Sequence, residues 1–565
     1  MKTNILSPIG LLLCLALSAP AADSARPSLP SSLPLRVLEE MPIQHGGRKK
    51  PLFAYAVDQW RAISGSTHWE DPAGEGGRWT AMQVVVDAWL HPERWTSRPV
   101  ILMDYIPLKK ALGYTGNDLD RRHFSFEELT SNKLLASMAA EAAAVRRKNA
   151  QATLTRDQQA ANQVAGRINL MEEILSGSAF RWIPDPKKRE GTWATLENAG
   201  DHYPLETLRP LMESFQALVR AYDGTDAVQW ESSVRDFEAR VAGLSPEHYP
   251  TAGIIHLEWL YKKGRPVTWA WIVYVLAFVV LVATPSWGRH LGYGAGWLLA
   301  GLGMLLQTSG LVLRVLVSGR PPVTNMYETV IWVAYIVVVT ALVFELIYRG
   351  RYFLLGALPV AVLSLILADT QPTILDGSIQ PLVPVLRHNF WLVVHVLTIV
   401  SSYAPLALAL GVSHIALGKL ILGRKVEPQL HQYIYRCLQI GVFLIGTGTI
   451  LGGVWANYSW GRFWGWDPKE TWALIAFLCY LAILHGRIAG WWGGFGLAVG
   501  SILAFQSVVM AWYGVNFILG KGLHSYGFGT GGFPMVAGFV LLEAAFLGLA
   551  FWCRYSRSRA GNLAD

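Results

Sequence analysis

Cysteine is scarce in this chain: four residues in 565. Cys14 lies in an N-terminal apolar stretch, and Cys437, Cys479 and Cys553 lie in long apolar runs, so the polar region between has no disulfide framework. No Cys-x-x-Cys occurs, which excludes a thiol reductase built on that motif. Charge runs are missing too. The formal net charge is +8, yet no Lys/Arg block of useful length appears. Many basic residues sit in short loops between apolar runs, where membrane topology accounts for them, and a nucleic-acid partner is excluded. No catalytic constellation is visible in the polar region, where His45, His68, His91, His123, His202 and His248 are scattered and read as surface or capping residues.

What is present divides the chain in two. Residues 1–22 read as a signal peptide or N-terminal anchor: Lys2, a short apolar core from Ile5 to Ala19, then small residues. Residues 23–34 form a Pro/Ser-rich linker, and 35–265 a soluble, extracytoplasmic domain. Glycine and proline almost vanish from Phe126 to Leu175, which predicts amphipathic helices, so the domain is expected to be mostly helical. Residues 266–555 carry about nine apolar runs, each near the ~20 residues that cross a bilayer. The sixth is placed over Ile434–Trp455 and the seventh over Thr471–His485, and 556–565 form a short cytoplasmic tail. The expected fold is therefore an α-helical polytopic membrane protein. Asn325 followed by Glu328 predicts a capping box at the third span. With the soluble domain outside, Lys and Arg favour the inner loops, which puts the aromatic loop expected over 455–472 on the outer side.

That segment, Trp-Ala-Asn-Tyr-Ser-Trp-Gly-Arg-Phe-Trp-Gly-Trp-Asp-Pro-Lys-Glu-Thr-Trp, holds five tryptophans in eighteen residues. Interfacial anchoring needs only one or two aromatics per helix end, so this density implies a flat apolar surface for something large and planar. His395 precedes the segment near the outer end of the fifth span, and His524 follows it in a Gly-rich outer loop. Two neutral imidazoles make a six-coordinate haem site. Taken singly, His395 could pack at the interface and His524 belong to a turn. His485 ends the seventh span, about 21 Å from the aromatic segment at 1.5 Å per residue. It marks either a second, inner site or an interfacial histidine beside Arg487. Asp467-Pro468 is read as shaping the turn into the seventh span, with Glu470 in its first turn. Arg314, Arg320 and Arg462 are candidates for carboxylate contacts.

These residues resemble a CcsA-type (ResC-like) cytochrome c biogenesis protein of the haem-handling superfamily. Residues 455–472 match its tryptophan-rich "WWD" motif, most specifically from Trp460 to Glu470. Asn389–Tyr403, Leu484–Arg487, Gly522–Gly527 and Gly319–Glu328 fit in the right order. The resemblance implies a haem-binding segment formed by Trp455, Trp460, Trp464, Trp466 and Asp467. It implies axial iron ligands at His395 and His524, and a transmembrane histidine at His485. It implies a haem-handling subunit of a cytochrome c synthase that presents haem b outside a bacterial inner membrane for thioether attachment to the Cys-x-x-Cys-His of apocytochrome c. "Enzyme" then describes the complex rather than this chain, which shows no nucleophile. Fused relatives carry a CcsB portion with its own spans and a second transmembrane histidine. The first half here has no such spans, so a separate CcsB/ResB-like partner is implied, and His414 is the internal stand-in for that histidine. Met41–Ala56 resembles a segment ahead of CcsA modules in some long homologues. Two rival readings remain: a haem exporter or chaperone without ligation, and a scaffold whose tryptophans anchor it in the interface.

Overall fold

The computed structural model describes residues 33–70, 77–148, 154–224, 226–283, 289–371, 374–382, 389–519 and 532–559. The signal segment, most of the Pro/Ser-rich linker and His524 lie outside the described residues. The chain divides into two compact units, Met1–Lys263 and Gly264–Asp565.

The first unit is helical where composition predicts it, over Phe126–Ser131, Lys133–Lys148 and Arg156–Leu175. Thr155 and Gln158 cap the last of these reciprocally. Among the described residues it also carries three two-stranded antiparallel ribbons that the sequence reading did not foresee. The Met41–Ala56 segment supplies one: β1 (Pro42–His45) pairs with β2 (Arg48–Pro51). Gly46 and Gly47 join them at φ 58° and 77°, a turn that glycine enters without a Cβ penalty. Strands this short give too little alternation to register as a period of two. Trp60, Trp95, Trp182 and Trp230 fill the core. Buried Asp87 accepts from Trp95 Nε1 at 2.7 Å, Tyr222 Oη at 3.0 Å and Arg94 at 3.1 Å, so its charge is neutralised by donors. The helix Ala252–Gly264 is tied in by Arg48–Glu258 (2.8 Å) and Lys262–Asp58 (2.6 Å). His45 lies edge-on to Tyr55 at 5.0 Å, and burial, helped by the cations Lys50 and Arg181, pushes its pKa down to about 4.

The second unit is the membrane portion. Among the described residues, nine helices are long and apolar enough to cross a bilayer. The chain is a helical, multi-pass membrane protein. Its helices are α1 (Pro266–Ala283), α2 (Arg289–Ser318), α3 (Met326–Tyr348), α4 (Tyr352–Thr370), α5 (Leu397–Ile421), α6 (Pro428–Trp460), α7 (Pro468–Ile488), α8 (Gly494–Val509) and α9 (Phe533–Arg559). α5 is the axis of the bundle, packing on α3, α4, α6 and α8, and it buries most of its length. Two stretches depart from α-helix: Leu392–Val396 leads into α5 and Met510–Leu519 continues α8, both as π-helix. Such widened turns are rare and concentrate at functional sites.

Three sequence expectations need correction. The 455–472 segment is not a loop throughout: α6 runs on to Trp460, and only 461–467 connect it to α7. No glycine or proline stands between Trp455 and Gly461, which closes α6 in the left-handed conformation at φ 69°. α9 likewise continues to Arg559, inside the stretch read as a tail. At the start of α3, Asn325 accepts from Glu328 N, but Glu328 does not reciprocate. Its carboxylate takes Arg314 Nε at 2.7 Å and Thr324 N at 2.7 Å instead. A buried guanidinium outcompetes a cap because leaving it unpaired costs more than one orphan N–H.

Candidate functional site

His395 sits within the π-turn ahead of α5, and α6 passes beside it. A carbonyl can only accept, so the 2.9 Å contact between His395 Nδ1 and Gly448 O makes Nδ1 the donor. The neutral ring then carries its basic lone pair on Nε2, the tautomer a metal ligand needs. This approach depends on two glycines one turn apart. A Cβ on Gly448 would lie 2.9 Å from the Ile399 backbone, and one on Gly452 would lie 2.7 Å from His395 Cε1.

The imidazole lines a cavity of about 160 Å³. The α5 wall contributes Val396, Ile399, Val400 and Tyr403; the α6 wall contributes Thr449, Gly452, Gly453 and Trp455. Phe463 and Trp464 close it from the connection, with Lys469, Glu470 and Ala473 from the start of α7. Met326 and Thr329 of α3 face Trp512 and Asn516 of the second π-segment. Those last two are held in place: Trp512 Nε1 donates to Thr329 Oγ1 at 3.1 Å, and Asn516 Nδ2 to Trp512 O at 2.6 Å. Both π-segments thus present side chains to one cavity.

The aromatic residues separate by role. Trp455 is buried against His395, ring edge to face at 5.6 Å, and lies nearly parallel to Trp391 at 6.4 Å and 9°. Trp464 lines the cavity and meets Trp466 edge-on at 5.9 Å. Trp460 ends α6 beneath Arg462, whose guanidinium lies 6.0 Å from its ring. Trp466 is 71% exposed and holds φ at 56°, a left-handed backbone in which a non-glycine residue is strained. Asp467 is buried as N-cap of α7, accepting from Lys469 N, while Glu470 closes the reciprocal half of the capping box. The turn-shaping role read for Asp467 and Glu470 is therefore what the geometry shows.

The other candidates lie elsewhere. His485 is exposed at the far end of α7, its Nδ1 donating to Leu481 O at 2.8 Å, and it does not line the cavity. His414 has both nitrogens engaged, Nδ1 by Leu410 O at 2.9 Å and Nε2 by Glu543 at 3.0 Å, which removes it as a stand-in ligand. Arg314 is fully buried on Glu328 and the carbonyls of Gly377 and Ser378, and Arg320 donates to Gln380 O. Neither reaches the cavity, so the expected carboxylate contacts are not available to them. Sequence reading missed Trp391, Thr329, Trp512 and Asn516 as neighbours. The usable signal was the four-residue spacing of Trp512 and Asn516 just ahead of His524 in the sequence.

Residues 323–524, which contain this whole site, match the family described as Cytochrome C assembly protein. The cytochrome c biogenesis protein CcsA of Parasynechococcus marenigrum is 35% identical over 266 residues, covering 41% of this chain and 87% of the relative. This chain belongs to the CcsA-type cytochrome c biogenesis family. CcsA of Prochlorococcus marinus (strain NATL2A) is 36% identical over 269 residues, or 40% of this chain and 84% of that protein. The protein NrfI of Wolinella succinogenes is 29% identical over 470 residues, covering 79% of this chain. The chain matches half the length of NrfI. Family membership gives it a role in cytochrome c biogenesis and haem handling.

Proposed function

We propose that this CcsA-type chain holds haem b as substrate in the His395 cavity at the outer, periplasmic face of a bacterial inner membrane. It presents that haem for covalent attachment to the Cys-x-x-Cys-His of an apocytochrome c, as one subunit of a synthase with a CcsB-like partner. The observation that carries the reading is the His395–Gly448 hydrogen bond, which orients an imidazole with Nε2 basic beside Trp455 and Trp464. The donor set fits the ligand: imidazole nitrogen suits haem iron, and the mostly apolar, aromatic walls suit a macrocycle. Bound haem would supply vinyl groups, across each of which one cysteine S–H adds, sulfur to one carbon and hydrogen to the other, with nothing lost.

The work of this chain is positional. His395 is held at a fixed azimuth, Trp455 and Trp464 exclude water, and the capping box of α7 stiffens the connection that carries Trp464 and Trp466. His524 would give the haem iron a second nitrogen ligand, and Trp460, Trp466 and Asp467 would complete the binding segment. His485, at the opposite end of α7, marks a second haem site. Residues 35–265 are read as extracytoplasmic, in keeping with the lysine and arginine bias of the loops.

The test is the visible spectrum of the detergent-purified chain, wild type beside His395→Ala and His524→Ala, with the partner co-expressed. A low-spin haem spectrum that weakens or shifts in both variants is the expected result. Haem bound equally well by all three would move the site elsewhere. Thioether formation on an added apocytochrome peptide then separates a synthase subunit from an exporter.

A further inference from the structure

The cavity contains one charged group that the ligand scheme above leaves unused. Lys469 lines it together with His395 and Trp464, and among the described lining residues it is the one cationic side chain. It stands in the first turn of α7, where the helix dipole disfavours a positive charge. Of its acidic neighbours, Asp467 and the Oε2 of Glu470 are occupied with the helix start, while Glu470 Oε1 is buried without a hydrogen-bond partner among the described residues. Asp467 accepts from Lys469 N at 3.0 Å, and Glu470 Oε2 accepts from Gly465 N at 2.8 Å and Asp467 N at 3.2 Å. Among the described residues, no carboxylate oxygen lies within 4.0 Å of Lys469 Nζ. Of the other cations considered for such a contact, Arg314 and Arg320 are bonded to their own chain, Arg462 lies over the Trp460 ring, and none of the three lines the cavity.

We infer that Lys469 is the cationic anchor for a carboxylate of the molecule in this cavity, a haem propionate. The inference rests on the haem-handling reading above and adds to it a second fixed point. An ammonium facing apolar walls is costly to desolvate, and a carboxylate entering beside it offsets that cost through a charge-assisted hydrogen bond. The cavity's other polar groups are largely engaged already: Thr329 accepts from Trp512, Thr324 donates to Glu328, and Asn325 caps α3. His395 fixes the iron but leaves the macrocycle free to rotate in its own plane. A propionate held at Lys469 stops that rotation. It turns the half of the ring bearing the vinyl groups away from the start of α7, so attachment meets one defined edge. Lys469 is thus a positioning residue, acting on the orientation of the ligand.

The experiment compares haem with haem dimethyl ester, which keeps the ring, iron and vinyl groups but has no carboxylates. Both are titrated into the full-length protein in detergent, for wild type, Lys469→Gln, Lys469→Arg and His395→Ala. Wild type and Lys469→Arg are expected to bind the free acid about tenfold or more tighter than the ester, the scale of a hydrogen bond to a charged group. Lys469→Gln should lose that preference while keeping a low-spin spectrum. A structural lesion would weaken acid and ester alike, so the ratio separates the two effects. If Lys469→Gln retains the preference, or wild type shows none while His395→Ala still abolishes the low-spin spectrum, the anchor is wrong and the haem site stands. If wild type binds neither compound, the haem reading fails and the anchor with it.

Discussion

His395 donates its Nδ1 proton to the carbonyl of Gly448, 2.9 Å away on the neighbouring helix, and so the backbone of α6 decides the tautomer and azimuth of the imidazole. The arrangement works only because α6 has no side chain at Gly448 or Gly452. Gly452→Ala places a methyl 2.7 Å from His395 Cε1 and must displace the ring. The expected outcome is at least a halving of haem content with a shifted Soret band. Gly418→Ala, on α5 with nothing within 4 Å of the added Cβ, is the control and should be neutral. Equal haem content in both variants would mean that His395 does not ligate.

Arg314 and Glu328 form an ion pair that is 0% and 1% exposed. Breaking one partner strands the other charge in a low-dielectric interior. Arg314→Ala should therefore cost about 3–5 kcal/mol, whereas Arg314→Leu with Glu328→Leu together should recover most of that. Thermal unfolding of the two variants in detergent, ranked against wild type, checks the order. A double variant as unstable as the single one would show that the pair does more than neutralise itself, for instance by holding Gly377 and Ser378.

Trp466 holds φ at 56° with its ring 71% exposed, a combination in which backbone strain is kept without compensating burial. Trp466→Gly relieves the strain and should stabilise the connection by about 1 kcal/mol. The same change should lower haem retention, because the indole is lost. Protection from hydrogen exchange over 461–467 should rise while haem content falls. If both improve, the ring has no role in binding.

Asp467→Ala removes the N-cap of α7 and should cost about 1 kcal/mol, while Asp467→Asn should cost much less. The loss is local, so faster exchange at the start of α7 is the observable, with little change in the global midpoint.

His45 gives the first unit an acid sensitivity. Burial holds its pKa near 4, below the ordinary value of 6.5, so the unfolded chain takes up the proton first as pH falls. The stability that His45 allows is complete above pH 6.5 and is lost progressively between about 6.5 and 4. His45→Gln should flatten part of that decline. The check is the difference in thermal midpoint of the full chain between pH 7 and pH 5, compared for wild type and variant. An unchanged difference would assign the acid sensitivity to other groups.

The helices of the membrane unit were readable because spans announce themselves by length and composition, and structure moved their ends by only a few residues. Errors fell where local rules compete with distant partners. Glu328 looked like a capping residue and became the counterion of Arg314, which lies fourteen positions earlier. Arg314 looked free for a ligand for the same reason. α6 overruns Trp455 because no glycine or proline stands between Trp455 and Gly461, so the loop expected over 455–472 begins only at Gly461. The ribbons of the soluble unit escaped notice because strands of three or four residues carry too little pattern.

By itself the sequence determined the division into a polar and a membrane portion, the helical class, the aromatic segment and the histidines around it. Each is a property of short stretches, set by apolar length, residue type and spacing. Tertiary structure alone decided that His395 turns toward Gly448, that Trp455 and Trp464 face the cavity while Trp466 points outward, and that Lys469 stands inside it as Arg314 and Arg320 are consumed elsewhere. Those outcomes depend on which helices touch and on which donors reach a buried carboxylate first. They are fixed by contacts across tens to hundreds of residues, and no local pattern records them.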